Sequence, residues 1–317
     1  MKPLHRFFCL CAMAAAASFA RAGYPDHPIR LVMPFAAGGA SDVVARIVAP
    51  ELAARLGQPI VIENHPGAQG AIAGQAAAGA PPDGYTLLYA VSATAALPLA
   101  TRTAYDMARD FTPVSTIGTF DFGLFVSAKV PAADTRAFVA YAKAHPGALN
   151  FATLNLGEHY AAASFMKAAG VDMVNVPYRS MAQIVPDIVV GQVHAYFGPL
   201  VNASVLARDG KVRVLATLGR ERAAQAPDVP TMIEQGLPDV TFESVQMLYA
   251  PAGTPPGIVD RLSREVNAVL AQPRVRAQLE KLALKPQGST PEAMREAQAA
   301  ADKAWTAIAH TYRLGGT

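Results

Sequence analysis

The sequence predicts an α/β protein of two domains, each a mostly parallel sheet flanked by helices. Two observations carry this prediction. Apolar β-runs alternate with helical patterns over residues 29–91 and again over 150–218, and this alternation is typical of parallel sheets covered by helices. The chain also has 317 residues, which is more than a single hydrophobic core usually organises.

The N-terminus predicts a cleaved signal peptide over residues 1–22. Lys2 and Arg6 precede an apolar run over 7–17, and small residues then lead to Ala22, where cleavage fits best. This run is too short to span a bilayer as a helix. We therefore expect an exported protein without a permanent anchor.

Composition excludes several classes of function. Both cysteines, Cys9 and Cys11, fall within the leader, so the mature chain has none for a disulfide, a thiolate metal site or a nucleophile. The leader also holds Lys2, Arg6 and Arg21. Removing these three of the 27 basic residues leaves 24, equal to the 24 acidic ones, and this balance argues against nucleic acid or an anionic membrane as partner.

The stretch IRLVMPFAAGGASD, residues 29–42, joins a β-run to a helical pattern through a loop of small residues. Gly38 and Gly39 allow positive φ and a close approach of ligand to backbone, and Ser41 or Asp42 can serve as the helix N-cap. The strand, loop and helix N-terminus together direct unpaired N–H groups at one point, which suits an anion. A tight βα turn with an ordinary cap is the alternative interpretation.

The remaining pattern predicts the order of the elements. Pro50 should kink or split the first helix, which we expect over residues 42–56. Short strands over 114–117 and 122–127 carry the chain into a second domain, and only helices are expected after residue 255.

These helices need a sheet to cover, so we expect the chain to return to its first domain near residue 245. The predicted first domain therefore comprises residues 23–120 and 246–317, and the second comprises residues 121–245. Hinges are expected near residues 120 and 245.

Ligands of open parallel sheets bind where the strands end. Five loops qualify. In a two-domain arrangement two of these loops, residues 36–42 and 92–94, line one wall of a cleft. The other three, residues 153–159, 178–180 and 197–200, line the opposite wall.

No catalytic or metal-binding constellation is recognisable. The sequence lacks a G-x-S-x-G elbow, a Walker loop and an H-E-x-x-H motif, and its histidines have no metal-ligand spacing. Ser41 and Asp42 are adjacent, but no partner histidine can be identified. We expect no enzyme, no cofactor and no metal, and an exported α/β hydrolase is the disfavoured alternative.

Seven segments run in order along nearly the whole mature chain: YPDHPIRLVMPFAAGGASDVVAR, LGQPIVIENHPGAQGAIAG, PDGYTLLYA, VPYRSMAQIVPDIVVGQV, GKVRVLATLGRER, PDVPTMIEQG and YAPAGTPPGIVDRL. Together they resemble the periplasmic receptors of tripartite tricarboxylate transporters, the Bug family. The resemblance implies a monomeric, flytrap-like solute-binding protein. Such a receptor captures a small organic carboxylate by hinge closure and delivers it to membrane transporter subunits; a ligand sensor feeding a two-component system is the alternative.

Carried over by position, the resemblance implies binding residues in loops of both domains. Backbone N–H groups and the Ser41 hydroxyl would hold one carboxylate, directly or through water, while Asp42 fixes the first loop. The predicted binding residues are Phe35, Ala37, Gly38, Gly39, Ser41, Asp42, Ser92, Thr94, Thr153, Asn155, Gly157, Glu158, His159, Tyr178, Arg179 and Ser180.

The second loop departs from the family pattern. Asn155 stands where Gly is common and Glu158 where Ser or Thr is common, and Ser180 replaces a usual Gly. A glutamate beside a ligand carboxylate would cost binding. Three arrangements fit: Glu158 points away from the ligand in the first turn of a helix, which we favour; it meets a cationic group, as in an amino acid; or it accepts from an amide.

Overall fold

A computed structural model describes residues 23–202, 206–207 and 209–312. The predicted signal peptide lies outside the described residues. Among the helices of the described part, none combines the length and apolar character needed to cross a membrane.

The first part of the chain alternates strands and helices as predicted, because each apolar β-run ends in small or polar residues that start a helix. Pro50 lies inside a single continuous helix and does not split it. Two short helices were not predicted, and the first begins at Ser92, where a loop was expected. The elements are β1 (Ile29–Met33), α1 (Ala40–Leu56), β2 (Ile60–Asn64), α2 (Ala71–Ala78), β3 (Thr86–Val91), α3 (Ser92–Ala100) and α4 (Met107–Asp110).

A long strand, β4 (Phe111–Ser127), replaces the two short strands predicted in this region. The prediction was wrong because Gly118 and the polar residues around it interrupt the apolar run, although pairing on both sides keeps the backbone extended. The first part of β4, Phe111 to Asp121, pairs antiparallel with a later strand, β9. From Phe122 onward β4 pairs with β7 and from Gly123 with β8, so this one strand passes from one half of the fold to the other.

The second half repeats the alternation of strands and helices. β5 pairs parallel with both β6 and β7, and β7 and β8 flank the end of β4. The elements are α5 (Thr135–Ala144), β5 (Asn150–Thr153), α6 (Leu156–Ala169), β6 (Val174–Pro177), α7 (Met181–Val190), β7 (Ala195–Pro199) and β8 (Val212–Thr217).

The chain then returns to the first half through β9, which lies antiparallel between β3 and β4. Helices follow, but the expectation of helices alone was wrong, since β10 pairs antiparallel with β4 at Gly118 to Phe120. The elements are β9 (Glu243–Pro251), α8 (Pro256–Leu270), α9 (Pro273–Glu280), β10 (Leu284–Pro286) and α10 (Pro291–Tyr312).

The described strands form a mixed sheet in the order β2-β1-β3-β9-β4-β7-β5-β6, with β8 and β10 paired to β4 off this path. Helices flank it, and apolar side chains of both halves are buried between sheet and helices. We call the loop after β1 together with α1 and α3 the first wall. We call the loop after β5 together with α6 the second wall. Between these walls lies the cavity described next.

Candidate functional site

A cavity of about 60 Å³ separates the two walls where β4 passes between the halves of the fold. This volume holds a few water molecules. Its lining contains no ionisable side chain. The lining residues are Phe35, Ala40, Ser41, Val91 and Ala93 from the first wall and its strands, Asn155 and Pro199 from the second half, and Phe120, Phe122, Phe242, Ser244 and Gln246 beside the crossing strands.

The first-wall loop is held in place by a buried carboxylate. Asp42 accepts a hydrogen bond of 2.8 Å from the Gly38 N–H, and Gly38 has a φ of +84°, a conformation that favours glycine. Gly39 has an ordinary φ of −73° and is itself the N-cap of α1. The expectation that Ser41 or Asp42 would cap this helix was therefore wrong, because both lie within its first turn.

Asp42 is itself anchored by two side chains. Arg46 donates to it at 2.7 and 3.2 Å, and Asn64 donates at 2.9 Å to Asp42 and also to the Phe35 carbonyl. Burial alone would raise the pKa of Asp42, but the hydrogen bonds from Arg46, Gly38 and Asn64 outweigh it and hold that pKa below its usual value. The carboxylate therefore stays ionised and fixes the loop.

The N-terminus of α1 keeps its amide donors. The first backbone bond of the helix runs from the Val43 N–H to the Gly39 carbonyl. The N–H groups of Ala40, Ser41 and Asp42 precede that bond, and no hydrogen bond within the described residues occupies them. Since Ala40 and Ser41 line the cavity, this helix terminus offers it a set of donors suited to an anion.

Ser41 belongs to a buried polar network that the sequence did not suggest. Its hydroxyl donates to Gln246 Oε1 at 2.9 Å, and the Tyr89 hydroxyl donates to the same oxygen at 3.0 Å. Gln246 Nε2 in turn donates to the carbonyl and the hydroxyl of Ser244 at 3.0 and 3.2 Å. Gln246 is 1 % exposed, and its amide links the first turn of α1 to β9.

The second wall uses most of its amide donors internally. Asn155 is the N-cap of α6, and its Oδ1 accepts from the N–H groups of Gly157 and Glu158 at 2.9 and 3.2 Å. Within the described residues, the Leu156 N–H and the Asn155 Nδ2 group have no hydrogen-bond partner. Asn155 lines the cavity, so its amide nitrogen is a donor that this wall can offer.

Glu158 faces away from the cavity. Its carboxylate accepts from the Leu154 N–H and, at 2.8 Å, from the Tyr196 hydroxyl, and its side chain is buried within the second half of the fold. Burial raises the pKa of Glu158 to about 7, although the hydrogen bonds from Leu154 and Tyr196 act in the opposite direction. This is the first of the three arrangements expected from the sequence.

Four other predicted residues hold backbone or neighbouring elements together rather than lining the cavity. Ser92 accepts from the Val245 N–H at 3.0 Å, and the Thr94 hydroxyl bonds the N–H and carbonyl of Val91. Thr153 donates to the Asn175 amide oxygen at 2.8 Å. A Cβ on Gly157 would meet Phe242 Cζ at 2.9 Å and Ala93 at 3.2 Å, so this glycine packs against both.

The remaining predicted residues also lie outside the cavity lining. His159 is half-buried, and burial lowers its pKa. The Tyr178 hydroxyl donates to Asp187 at 2.6 Å, while Arg179 and Ser180 are exposed beyond the end of β6. Ala37 is exposed on the first-wall loop.

Three phenylalanines form the apolar side of the cavity and were not predicted as site residues. Phe120 and Phe122 come from β4, and Phe242 precedes β9. The rings of Phe122 and Phe242 meet edge-to-face with centroids 4.7 Å apart. An apolar strand residue normally indicates core, so the sequence carried no signal that these rings border a cavity.

Within the described residues, no cluster of three or more His, Cys, Asp or Glu side chains could hold a metal ion. The cavity lining itself combines amide donors with apolar surface, and this combination suits capture of an anion.

Comparisons with known proteins all point to one family of receptors. A family model described as "Tripartite tricarboxylate transporter family receptor" matches residues 44–312. Protein BugT of Bordetella pertussis is 35% identical over 273 residues, covering 84% of this chain and 82% of BugT. The family comprises solute-binding receptors and not enzymes.

Solved structures of similar proteins include two with ligands. MatC of Rhodopseudomonas palustris with bound malate has a TM-score of 0.81 and 33% identity, covering 90% of this chain and 100% of MatC. The R. palustris protein Rpa4515 with adipate has a TM-score of 0.86 and 32% identity, covering 92% of this chain and 99% of that one.

Proposed function

Because the chain belongs to the tripartite tricarboxylate transporter receptor family, we propose that it is a periplasmic receptor that captures a small organic carboxylate between its two walls. We further propose that it delivers this ligand to a tripartite tricarboxylate-type membrane transporter. Malate and adipate, bound by the structural neighbours MatC and Rpa4515, are carboxylates of the size this role requires.

The observation that carries the proposal is the pairing of donors across an uncharged cavity. The first wall contributes the unoccupied N–H groups of Ala40 and Ser41, and the second contributes Asn155 Nδ2. A carboxylate has two oxygens that accept several such bonds at once. Asp42 and Glu158 are both turned to internal partners, so neither brings a like charge to the ligand.

These donors can supply a useful affinity. Each charge-assisted hydrogen bond contributes roughly 1.5–3 kcal/mol, and micromolar binding requires about 8 kcal/mol. Bonds from the Ala40 and Ser41 N–H groups and from Asn155 Nδ2 would together contribute roughly 4.5–9 kcal/mol before the cost of ordering the ligand, and contact of its apolar part with the phenylalanine rings adds to this. No metal is needed to hold the anion.

Entry of a ligand requires the walls to separate, since a cavity of about 60 Å³ is too small for a dicarboxylate. We propose hinges near residues 120 and 245. There β4 changes partners between Asp121 and Phe122, and β9 begins at Glu243. The corresponding domains would be residues 23–120 with 246–317, and residues 121–245.

A thermal-shift titration tests the proposal. The protein, expressed from its full sequence and purified from the periplasm, is titrated with mono-, di- and tricarboxylates, acidic amino acids and their amides. A ligand at a hundredfold excess over its Kd adds about 2.7 kcal/mol of apparent stability. We expect a shift with at least one carboxylate, and the absence of any shift would overturn the proposal.

Transporter coupling needs a separate experiment. A pull-down from solubilised membranes, with and without the ligand found above, should recover transporter subunits. Recovery of a sensor kinase instead would assign the protein to signalling.

A further inference from the structure

The apolar side of the cavity contrasts with its amide donors. Phe35, Phe120, Phe122 and Phe242 all line it, and the last three are at most 8 % exposed. Aromatic rings that border a cavity favour the apolar part of a ligand and offer no hydrogen bond to a hydroxyl.

The polar side chains of the lining are already engaged. Ser41 donates to Gln246, and Gln246 donates to Ser244. Asn155 Oδ1 accepts from two amides of its own loop. A ligand hydroxyl that lies against the phenylalanine rings would remain unpaired, and an unpaired buried hydroxyl lowers affinity.

The donors left over suit a carboxylate, whose two oxygens accept several hydrogen bonds. These donors are the N–H groups at the start of α1 and the Asn155 amide nitrogen, and no arginine, lysine or histidine lines the cavity. A second carboxylate drawn into the interior would lack a counter-charge, and burying an uncompensated charge is costly. A ligand with one carboxylate inside the cavity, followed by an apolar chain, matches both the amide donors and the phenylalanine rings of the lining.

We propose that the receptor prefers carboxylates with an unsubstituted apolar chain to their hydroxylated counterparts. This proposal rests on the proposed function. One carboxylate would meet the N-terminus of α1. The hydrocarbon chain would lie against Phe120, Phe122 and Phe242, and any second carboxylate would point to solvent.

Matched pairs of acids test this preference. Succinate and malate differ by one hydroxyl, and adipate and galactarate share one chain length with and without hydroxyls. Isothermal titration calorimetry gives Kd for each. We expect the unsubstituted member of a binding pair to bind about ten- to a hundredfold more tightly, the range over which pockets discriminate on one such group.

A pair of variants tests whether the phenylalanine rings of the lining cause this preference. Phe122→Tyr adds a hydroxyl beside the ligand chain and should reduce the ratio of the two Kd values several-fold. Phe138→Tyr, at a fully buried ring that does not line the cavity, should leave the ratio unchanged. Should Phe122→Tyr fail to fold, Phe120→Tyr, at another ring that lines the cavity, serves in its place with the same control.

The outcomes separate the two proposals. Equal or tighter binding of the hydroxylated acid in a pair would overturn the apolar-chain preference and leave the receptor function standing. An equal change of the ratio in the Phe122 and Phe138 variants would also overturn it. No binding of any acid in the panel would overturn both.

Discussion

The hydroxyl of Tyr196 donates to the carboxylate of Glu158 at 2.8 Å, deep within the second half of the fold. The same carboxylate receives the Leu154 N–H at the start of the second-wall loop. Glu158, which we expected to point away from the ligand, therefore ties the second-wall loop to β7. Because a buried ion without a cationic partner is costly, this contact makes stability depend on pH.

We predict that Glu158→Gln removes a fall in stability between pH 5 and pH 8. Burial raises the pKa of Glu158 to about 7 in the folded protein, above its ordinary value in the unfolded chain. The folded state therefore holds this proton more tightly. The resulting stabilisation is complete below the unfolded pKa and is lost as pH rises through about 7, at a cost of about 3 kcal/mol.

Urea unfolding at pH 5 and pH 8 measures this effect. The free energy of unfolding should fall with pH in the wild type relative to Glu158→Gln. Glu292→Gln, which alters an exposed first-turn glutamate of α10, is the control and should keep the wild-type dependence. Parallel pH profiles for wild type and Glu158→Gln would contradict the prediction.

We predict that Asp42→Ala weakens ligand binding at least tenfold. The change removes the acceptor of the Gly38 N–H, leaves Arg46 without its partner and leaves Asn64 with only the Phe35 carbonyl, so the loop loses its fixed shape. Calorimetry with the tightest carboxylate found gives the affinity. Asp110→Ala removes a carboxylate that also pairs with an arginine, at 2.7 Å, outside the cavity lining. It should leave Kd unchanged, and a matching loss there would refute the role of Asp42.

Strands with local signals were predictable from the sequence. β3, Thr86–Val91, lies within the alternation predicted over residues 29–91, and an apolar run between a Pro-Asp-Gly turn and polar residues fixes both of its ends. β4 was not predicted as one strand, because its partners β9, β7 and β8 lie far along the chain. β10 has only three residues and forms through that same strand.

The candidate site likewise contains residues that were predicted from the sequence and residues that were missed. Ser41 and Asn155 were identified from loop chemistry and family resemblance, and both line the cavity. Gln246 and Phe242 were missed because nothing in their own neighbourhood distinguishes a strand residue beside a cavity from one in the core. Their position follows from β9 returning between β3 and β4, which only the tertiary fold decides.

We predict that ligand binding changes the fluorescence of Trp305, the single tryptophan of the chain. Its ring lies 5.1 Å from Tyr160 of the second wall and 6.2 Å from Phe242, which lines the cavity. Separation or closure of the walls must therefore alter its surroundings.

Titration of emission against ligand should saturate with the Kd found by calorimetry. Phe242→Leu should reduce the change in emission, whereas Phe165→Leu, at a buried ring elsewhere in the second half, should not. An unchanged signal in the wild type at saturating ligand would show that the walls keep their arrangement around Trp305.

We predict that Gly157→Ala destabilises the ligand-free protein by about 1–3 kcal/mol, the usual cost of overpacking. The new Cβ would lie 2.9 Å from Phe242 Cζ and 3.2 Å from Ala93 Cβ and Asn155 Oδ1, so the two walls could not approach as closely. Gly257→Ala is the matched control, since its Cβ meets nothing within 4 Å in α8. It should be neutral or slightly stabilising, as alanine favours helix. Urea unfolding measures both, and equal stabilities of the two variants would show that the walls are not in contact at Gly157 in solution.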